Sequence, residues 1–388
     1  MYILIWVLIR QKNLRCMKLT KLLTQYGIAY YSIFLLFLLS FSTICSAQDI
    51  KERKYATTFQ ASSTVLLNRD IKNANAAVDQ NLETYAQMNT LLSLSGSSRA
   101  SLRLRFGKEL PAGTPVTLKV GSESQLLSLL DNVTIQAVNG VGSAINNTGN
   151  TVGNEVRLSS LASLLSGPQQ REITFVPSVA YDGVKISLGG LAASFNVYEA
   201  FYYEYTGETG CPEALDILYG VSGNGLDVAS LLNVVRNPSN AIDGDDNSRA
   251  ELRANVSLLE EAFLEVPFNR NSLPGESARI VLQGQATGLL DLSLLSSSVE
   301  IKAFLNGQEL ADIDLGSSLV SLSLLGGSSD KQVLSVPISQ SFDKIRISVG
   351  RGLLETLSGL NIYEIGQSPS KPELTSPSLV GGIAELCA

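Results

Sequence analysis

Short runs of alternating polar and apolar residues recur along most of this chain. Ser101-Leu102-Arg103-Leu104-Arg105-Phe106 alternates strictly, and Thr117-Leu118-Lys119-Val120 does the same. Side chains on a strand point to opposite faces in turn, so this pattern predicts strands with one buried face. Val133 to Val138 reads alike and is followed by Asn139-Gly140. Val299 to Leu305 is followed by Asn306-Gly307. Asn-Gly is a strong signal for a tight hairpin turn. Val184 to Leu188 and Lys344 to Val349 add two more strands, and Val197 to Tyr205 is a β-branched and aromatic one. Many short strands with Gly, Asn and Pro between them predict an all-β, antiparallel sandwich.

The pattern occurs twice. Asn75 to Thr84 returns as Ser239 to Ser248, Leu110-Pro111 as Leu273-Pro274, and Val176-Pro177 as Val336-Pro337. Val184-Lys185-Ile186-Ser187 returns as Ile345-Arg346-Ile347-Ser348, and Asn196-Val197-Tyr198-Glu199 as Asn361-Ile362-Tyr363-Glu364. The five pairs keep one order at separations of 160 to 165 residues. That is the length of a domain, not of a solenoid repeat of roughly 20–50 residues. Two tandem sandwiches are therefore expected over 48–206 and 215–366. Thr206 to Pro212 supplies breakers for a linker at 207–214, and a Pro/Ser-containing tether is expected over 367–388.

Residues 1–47 read as a leader and signal peptide. Lys18 and Lys21 precede the apolar stretch Ile33 to Phe41, and Cys45-Ser46-Ala47 offers small residues for cleavage. A retained membrane anchor is the alternative, although the apolar run is short of the roughly 20 residues a spanning helix needs. The mature chain is expected to be secreted or displayed at the cell surface, with no transmembrane span. The ending Ile383 to Ala388 does not resemble a domain terminus and suggests a chain that continues. Cys211 and Cys387 remain after the leader and can form one disulfide in an oxidising compartment.

The net charge of −7 speaks against a nucleic-acid partner. There is no histidine. That removes Ser-His-Asp triads, Cys-His dyads and histidine-held metals. No phosphate-binding glycine motif is present, so no enzyme is expected.

What remains is the repeated acidic loop. Repeat one offers Asp79, Asn81 and Thr84. Repeat two offers Asp243, Asp245, Asp246 and Ser248, with Gly244 easing the turn. Calcium takes six to eight oxygens from carboxylates, amides, hydroxyls and carbonyls, so both loops are candidate sites, repeat two the richer in acids. The plainer reading is an Asx turn, the side chains bonding their own backbone.

The runs Ala77 to Ala86 and Ala241 to Ala250 resemble the A-V-D-G-N-x-x-T-x-W loop of galactose-binding-like domains, the discoidin or coagulation-factor C-terminal type of jelly roll. The resemblance spans roughly 55–205 and 215–366. It implies tandem extracellular modules of a Bacteroidota-like surface protein. It further implies a structural Ca2+ completed by a glutamate on the last strand, where Glu199 and Glu364 stand. The family's aromatic after the threonine is Ala86 or Ala250 here, and the single tryptophan, Trp6, lies in the leader. Tyr85, Tyr181 and Tyr219 are candidates to stack on a sugar, and Arg249 and Arg351 to bond it. The function implied is a non-catalytic glycan-binding or adhesion module. The alternative is a structural spacer or protein-binding module, favoured if the Leu/Ser-rich segments 91–95, 158–165 and 317–325 form an exposed patch rather than pack on the sandwich.

Overall fold

The computed structural model describes residues 49–63, 71–90, 99–122, 130–140, 150–161, 169–189, 194–222, 231, 233–245, 247–253, 261–285, 289–310, 313, 315, 320–325, 330–350 and 358–368. The first repeat carries β1 (Asp49–Tyr55), β2 (Thr58–Ser63), β3 (Ile71–Lys72), β4 (Ala86–Asn89), β5 (Ala100–Leu110), β6 (Val116–Ser122), β7 (Val133–Asn139), β8 (Asn150–Arg157), β9 (Gln169–Phe175), β10 (Tyr181–Leu188) and β11 (Ser194–Thr209). The second carries β12 (Leu218–Ser222), β13 (Val235–Arg236), β14 (Ala250–Arg253), β15 (Glu261–Pro267), β16 (Ser277–Gly284), β17 (Val299–Leu305), β18 (Gln308–Glu309), β19 (Ser321–Leu324), β20 (Gln332–Pro337), β21 (Lys344–Gly350) and β22 (Gly359–Ser368). A short helix α1 (Leu292–Ser298) is N-capped by Asp291, whose side chain accepts from the Leu294 N–H.

Each repeat stacks two antiparallel sheets. In the first, β2-β5-β10-β7-β8 faces β3-β4-β11-β6-β9; in the second, β12-β15-β21-β17-β18 faces β13-β14-β22-β16-β20-β19. The alternating residues behave as their period requires. Leu102, Leu104, Ile135 and Ile186 meet Leu118, Val120, Phe195 and Val197 in one core. Leu264, Val266, Ile345 and Ile347 meet Ile280, Leu282, Leu334 and Ile362 in the other.

The Asn-Gly signals part company. Asn306 and Gly307 adopt φ of 52° and 79° and close the β17–β18 hairpin, Leu305 pairing with Gln308. Asn139 does not close a tight turn. It pairs with Asn150 at the far end of residues 140–149, and its side-chain amide donates to Glu109 and to the Ala180 carbonyl. Those bonds hold it in the strand. Of the Leu/Ser-rich segments, Leu158–Ser160 is a single 3-10 turn and Ser321–Leu324 is edge strand β19. Segment 91–95 lies outside the described residues.

The repeats are joined edge to edge. Gly220 of β12 pairs with Gln169 of β9, so sheets from both repeats form one eleven-stranded sheet. A Cβ on Gly220 would stand 2.5 Å from Gln169 Cβ and 2.5 Å from the Phe263 ring, which is why glycine occupies this crossing. Where the sequence suggests a linker at 207–214, β11 continues to Thr209 against β1. The Asn269 N–H donates to the Glu213 carbonyl, the Glu213 N–H donates to Asn269 Oδ1, and the Leu215 N–H donates to the Pro267 carbonyl.

A buried ion network fills the junction. Six cations share four carboxylates: Lys51, Arg53, Lys119, Arg171, Lys344 and Arg346 with Glu172, Asp216, Glu265 and Asp343. Lys119 lies 2.8 Å from Asp216, Lys344 lies 3.2 Å from both Glu172 and Glu265, and Arg53 pairs with Glu172. The Arg53 and Arg346 guanidiniums also stack over Phe201 and Phe263, at 4.2 and 4.8 Å from the ring centroids. Burial pushes the Glu172 carboxyl up, but the charges of Arg53 and Lys344 outweigh it and hold it down to about 2. Burial outweighs attraction at Lys119, whose ammonium is held below its ordinary value despite Asp216.

Cys211 is disulfide-bonded. Cys387, its candidate partner, lies outside the described residues, as does the leader. Among the described residues no helix is long and apolar enough to cross a membrane.

Candidate functional site

The acidic loops sit between β3 and β4 in repeat one and between β13 and β14 in repeat two. In repeat one, β3 ends at Lys72, Asn73 turns the chain at φ 52°, and a 3-10 turn covers Ala74–Ala77. In repeat two, Arg236, Asn237 at φ 48° and the turn Pro238–Ala241 do the same. Asparagine tolerates this left-handed conformation better than most residues.

Asp79 then makes an Asx turn. Its Oδ1 accepts from the Asn81 N–H at 2.9 Å, and Thr84 Oγ1 donates to its Oδ2 at 2.8 Å. Asn81 Oδ1 accepts from the Glu83 N–H. Repeat two matches bond for bond. Asp243 Oδ1 accepts from the Asp245 N–H at 2.9 Å, Ser248 Oγ donates to Asp243 Oδ2 at 2.7 Å, and Asp245 Oδ1 accepts from the Asn247 N–H. Asp246 lies outside the described residues.

The closing glutamates divide the two loops. Both follow a bulge at a tyrosine, Tyr198 or Tyr363. Glu199 is fully buried, and its Oε1 accepts from the Gln80 N–H at 2.5 Å. Gln80 has φ 63°, where repeat two has Gly244 at φ 74°, so this bond braces a conformation a side chain ordinarily avoids. Glu199 Oε2 is buried without a hydrogen-bond partner. Burial pushes this carboxyl up to about 8; the Gln80 N–H pulls it down and the Asp79 charge adds to the rise. Glu364 instead pairs with Arg279 of β16 and keeps 37 % of its side chain exposed. No bond joins it to the Asp243 loop among the described residues. Nor do the described residues include a group of three or more His, Cys, Asp or Glu suited to a metal ion.

A cleft of about 530 Å³ opens beside the first loop. Lys72, Asn73, Asn75, Asp79, Glu83, Tyr85 and Gln87 line it. Tyr85 is held by the Tyr198 ring, centroid to centroid 5.2 Å. The Tyr198 hydroxyl accepts from Gln170 at 3.2 Å. Of the other tyrosines, Tyr181 is fully buried and donates its hydroxyl to the Thr114 carbonyl, so it is a core residue and not a stacking platform. Tyr219 is half-buried; burial raises its hydroxyl, and Glu83 and Tyr85 contribute next. Arg249 is exposed, and Arg351 lies outside the described residues.

Among solved structures the chain is similar to fucolectin, an F-type lectin from striped bass serum, at 14 % identity over 81 % of this chain and 97 % of that chain, with a TM-score of 0.26. It is similar to the CBM32-1 and CBM32-2 domains of Clostridium perfringens ZmpB, at 11 % identity over 82 % and 94 %, TM-score 0.26. It is also similar to allantoicase from Saccharomyces cerevisiae, at 9 % identity over 86 % and 97 %, TM-score 0.25. No protein-family model matches the chain, and no curated protein does. The chemical reading rests on the cleft itself.

The cleft presents an ammonium, three side-chain amides, two carboxylates and one phenol ring. A sugar hydroxyl both donates and accepts, and amides and carboxylates answer both roles. The ring supplies one flat wall. The sequence named Tyr85 but missed Lys72, Asn73, Asn75 and Gln87. They are ordinary surface polar residues until the β3–β4 pairing brings them to one face, Lys72 opposite Gln87.

Proposed function

We propose that the chain is a non-catalytic, extracellular glycan-binding module whose saccharide site is the repeat-one cleft. The observation that carries this is the lining of the cleft: convergent amides and carboxylates around a tyrosine braced from behind. The direct test is a glycan array probed with the chain and with Tyr85→Ala. Binding of a defined set of neutral glycans, weakened about tenfold or more by the substitution, supports the reading. Binding of none, or binding that ignores Tyr85, opposes it.

A structural calcium belongs to the same proposal, for repeat one only. Glu199 offers a buried oxygen without a partner, and a cation bound there would satisfy it and favour the charged form. Glu199 would hold the ion with oxygen donors of the Asp79, Asn81 and Thr84 loop. In repeat two Glu364 pairs with Arg279, so the proposal does not extend to the set Asp243, Asp245, Ser248 and Glu364. The buried ion network favours a second reading, a stiff spacer or protein-binding module of a larger surface protein. Failure to bind any glycan would leave that one standing.

A further inference from the structure

The repeat-one cleft has a counterpart in repeat two that the loop comparison alone does not disclose. The β3–β4 and β13–β14 pairs share one register. Ile71 pairs with Met88, and Val235 with Leu252, 164 residues on in both strands. Asn196 pairs with Gln87, and Asn361 with Glu251. Lys72, Tyr85, Gln87 and Asn89 of repeat one thus become Arg236, Arg249, Glu251 and Arg253. Val235 and Leu252 are buried in the core, so the four charged residues share the opposite, outer face.

Two guanidiniums here hold one carboxylate, and a third arginine, Arg236, stands across from it on the neighbouring strand. Glu251 accepts from Arg249 Nε at 3.2 Å through Oε1 and from Arg253 Nε at 2.6 Å through Oε2. Its own side chain is 9 % exposed, while those of Arg249 and Arg253 are 46 % and 32 % exposed. Arg236 stands opposite Glu251 on β13, exposed, and has no ion pair among the described residues. Asn361 flanks Glu251 on the other side, its Oδ1 accepting from Gln285 at 3.0 Å. The carboxylate fixes Arg249 by its Nε and Arg253 by its Nε and Nη2. Three cations against one anion leave a local positive excess on a chain of net charge −7.

We propose that this face of repeat two is a second saccharide site, and that it takes an anionic sugar bearing a carboxylate or sulfate. The inference rests on reading the repeat-one cleft as a saccharide site. Guanidinium forks match carboxylate and sulfate oxygens two bonds at a time, and a fork already oriented loses less entropy on binding. The amides of Asn361 and Gln285 serve neighbouring hydroxyls. The tandem would then hold a neutral sugar in repeat one and an anionic one in repeat two.

The test measures binding of the chain to polygalacturonate and to dextran sulfate, with fully methyl-esterified polygalacturonate and plain dextran as neutral partners. Carboxylate and sulfate are thereby separated. Arg236→Ala is the cleanest variant, because Arg236 does not bond Glu251; Arg249→Lys keeps the charge and loses the fork. Arg99→Ala with Lys108→Ala removes equal or greater charge elsewhere. The proposal expects binding to at least one anionic polymer, weaker at high salt, reduced about tenfold by Arg236→Ala and by Arg249→Lys. The Arg99/Lys108 variant should leave it unchanged. Equal loss in the Arg99/Lys108 variant, or no binding to either anionic polymer, overturns it. If neutral glycans still bind through Tyr85 in that case, only the second site falls; if nothing binds, the reading of repeat one falls with it.

Discussion

Glu199 and Glu364 occupy one position in two repeats, and their surroundings set them to different work. Glu199 is buried over a loop that must place a glutamine at positive φ, and one of its oxygens has no partner. Glu364 has Arg279 beside it and water within reach. Calcium should therefore raise the unfolding midpoint of the wild-type chain relative to chelator, since an ion bound only by the folded state must stabilise it. Glu199→Gln should abolish that rise and Glu364→Gln should leave it intact. A rise that survives Glu199→Gln would count against a repeat-one site. The sequence could not separate the two glutamates. Both follow Tyr in matching strands, and what distinguishes them is Arg279, 85 residues away in the chain. Arg249 was visible as a candidate, but its companion Arg236 becomes its neighbour only across the β13–β14 pair.

At the scale of elements, alternation was a sound guide because both sheets of each sandwich have one apolar face. Ser101 to Phe106 lies within β5, Val299 to Leu305 forms β17, and Lys344 to Val349 lies within β21. Two identical Asn-Gly pairs gave different outcomes because turn propensity is local and the Asn139 bonds to Glu109 and Ala180 are not. The union of two repeats through β9 and β12 was not legible either. It depends on a strand edge, which leaves no hydropathy signal, and on Gly220, which looks like any other strand glycine. Its Cβ vector points into Gln169 and Phe263. Gly220→Ala should cost about 1–3 kcal/mol from overpacking, read as a lower midpoint in denaturant. Unchanged stability would mean the β9–β12 crossing does not form as described.

Across the whole molecule, the ion network makes the two sandwiches one body. Its acid sensitivity follows from Glu172, whose folded carboxyl is held at about 2 against an ordinary 4.5. A depressed acid contributes stability that is fully present above about 4.5 and is lost as pH falls toward 2. Glu172→Gln should therefore lower the midpoint at pH 7, by about 3 kcal/mol for a broken buried pair, and flatten the decline below pH 4.5. A variant that loses stability equally at every pH would contradict this share of the acid response. A joined body also fixes the cleft of repeat one and the arginine face of repeat two at one separation, so a single polysaccharide carrying both sugar types gains avidity without new contacts. The central claim remains that repeat one holds a sugar beside the Asp79 loop. The most direct measurement is backbone amide chemical shifts of the chain titrated with a neutral glycan found on the array. The account predicts saturable shifts concentrated at Asn73, Asn75, Tyr85 and Gln87 and lost in Tyr85→Ala; shifts centred elsewhere, or none at saturating sugar, would contradict it.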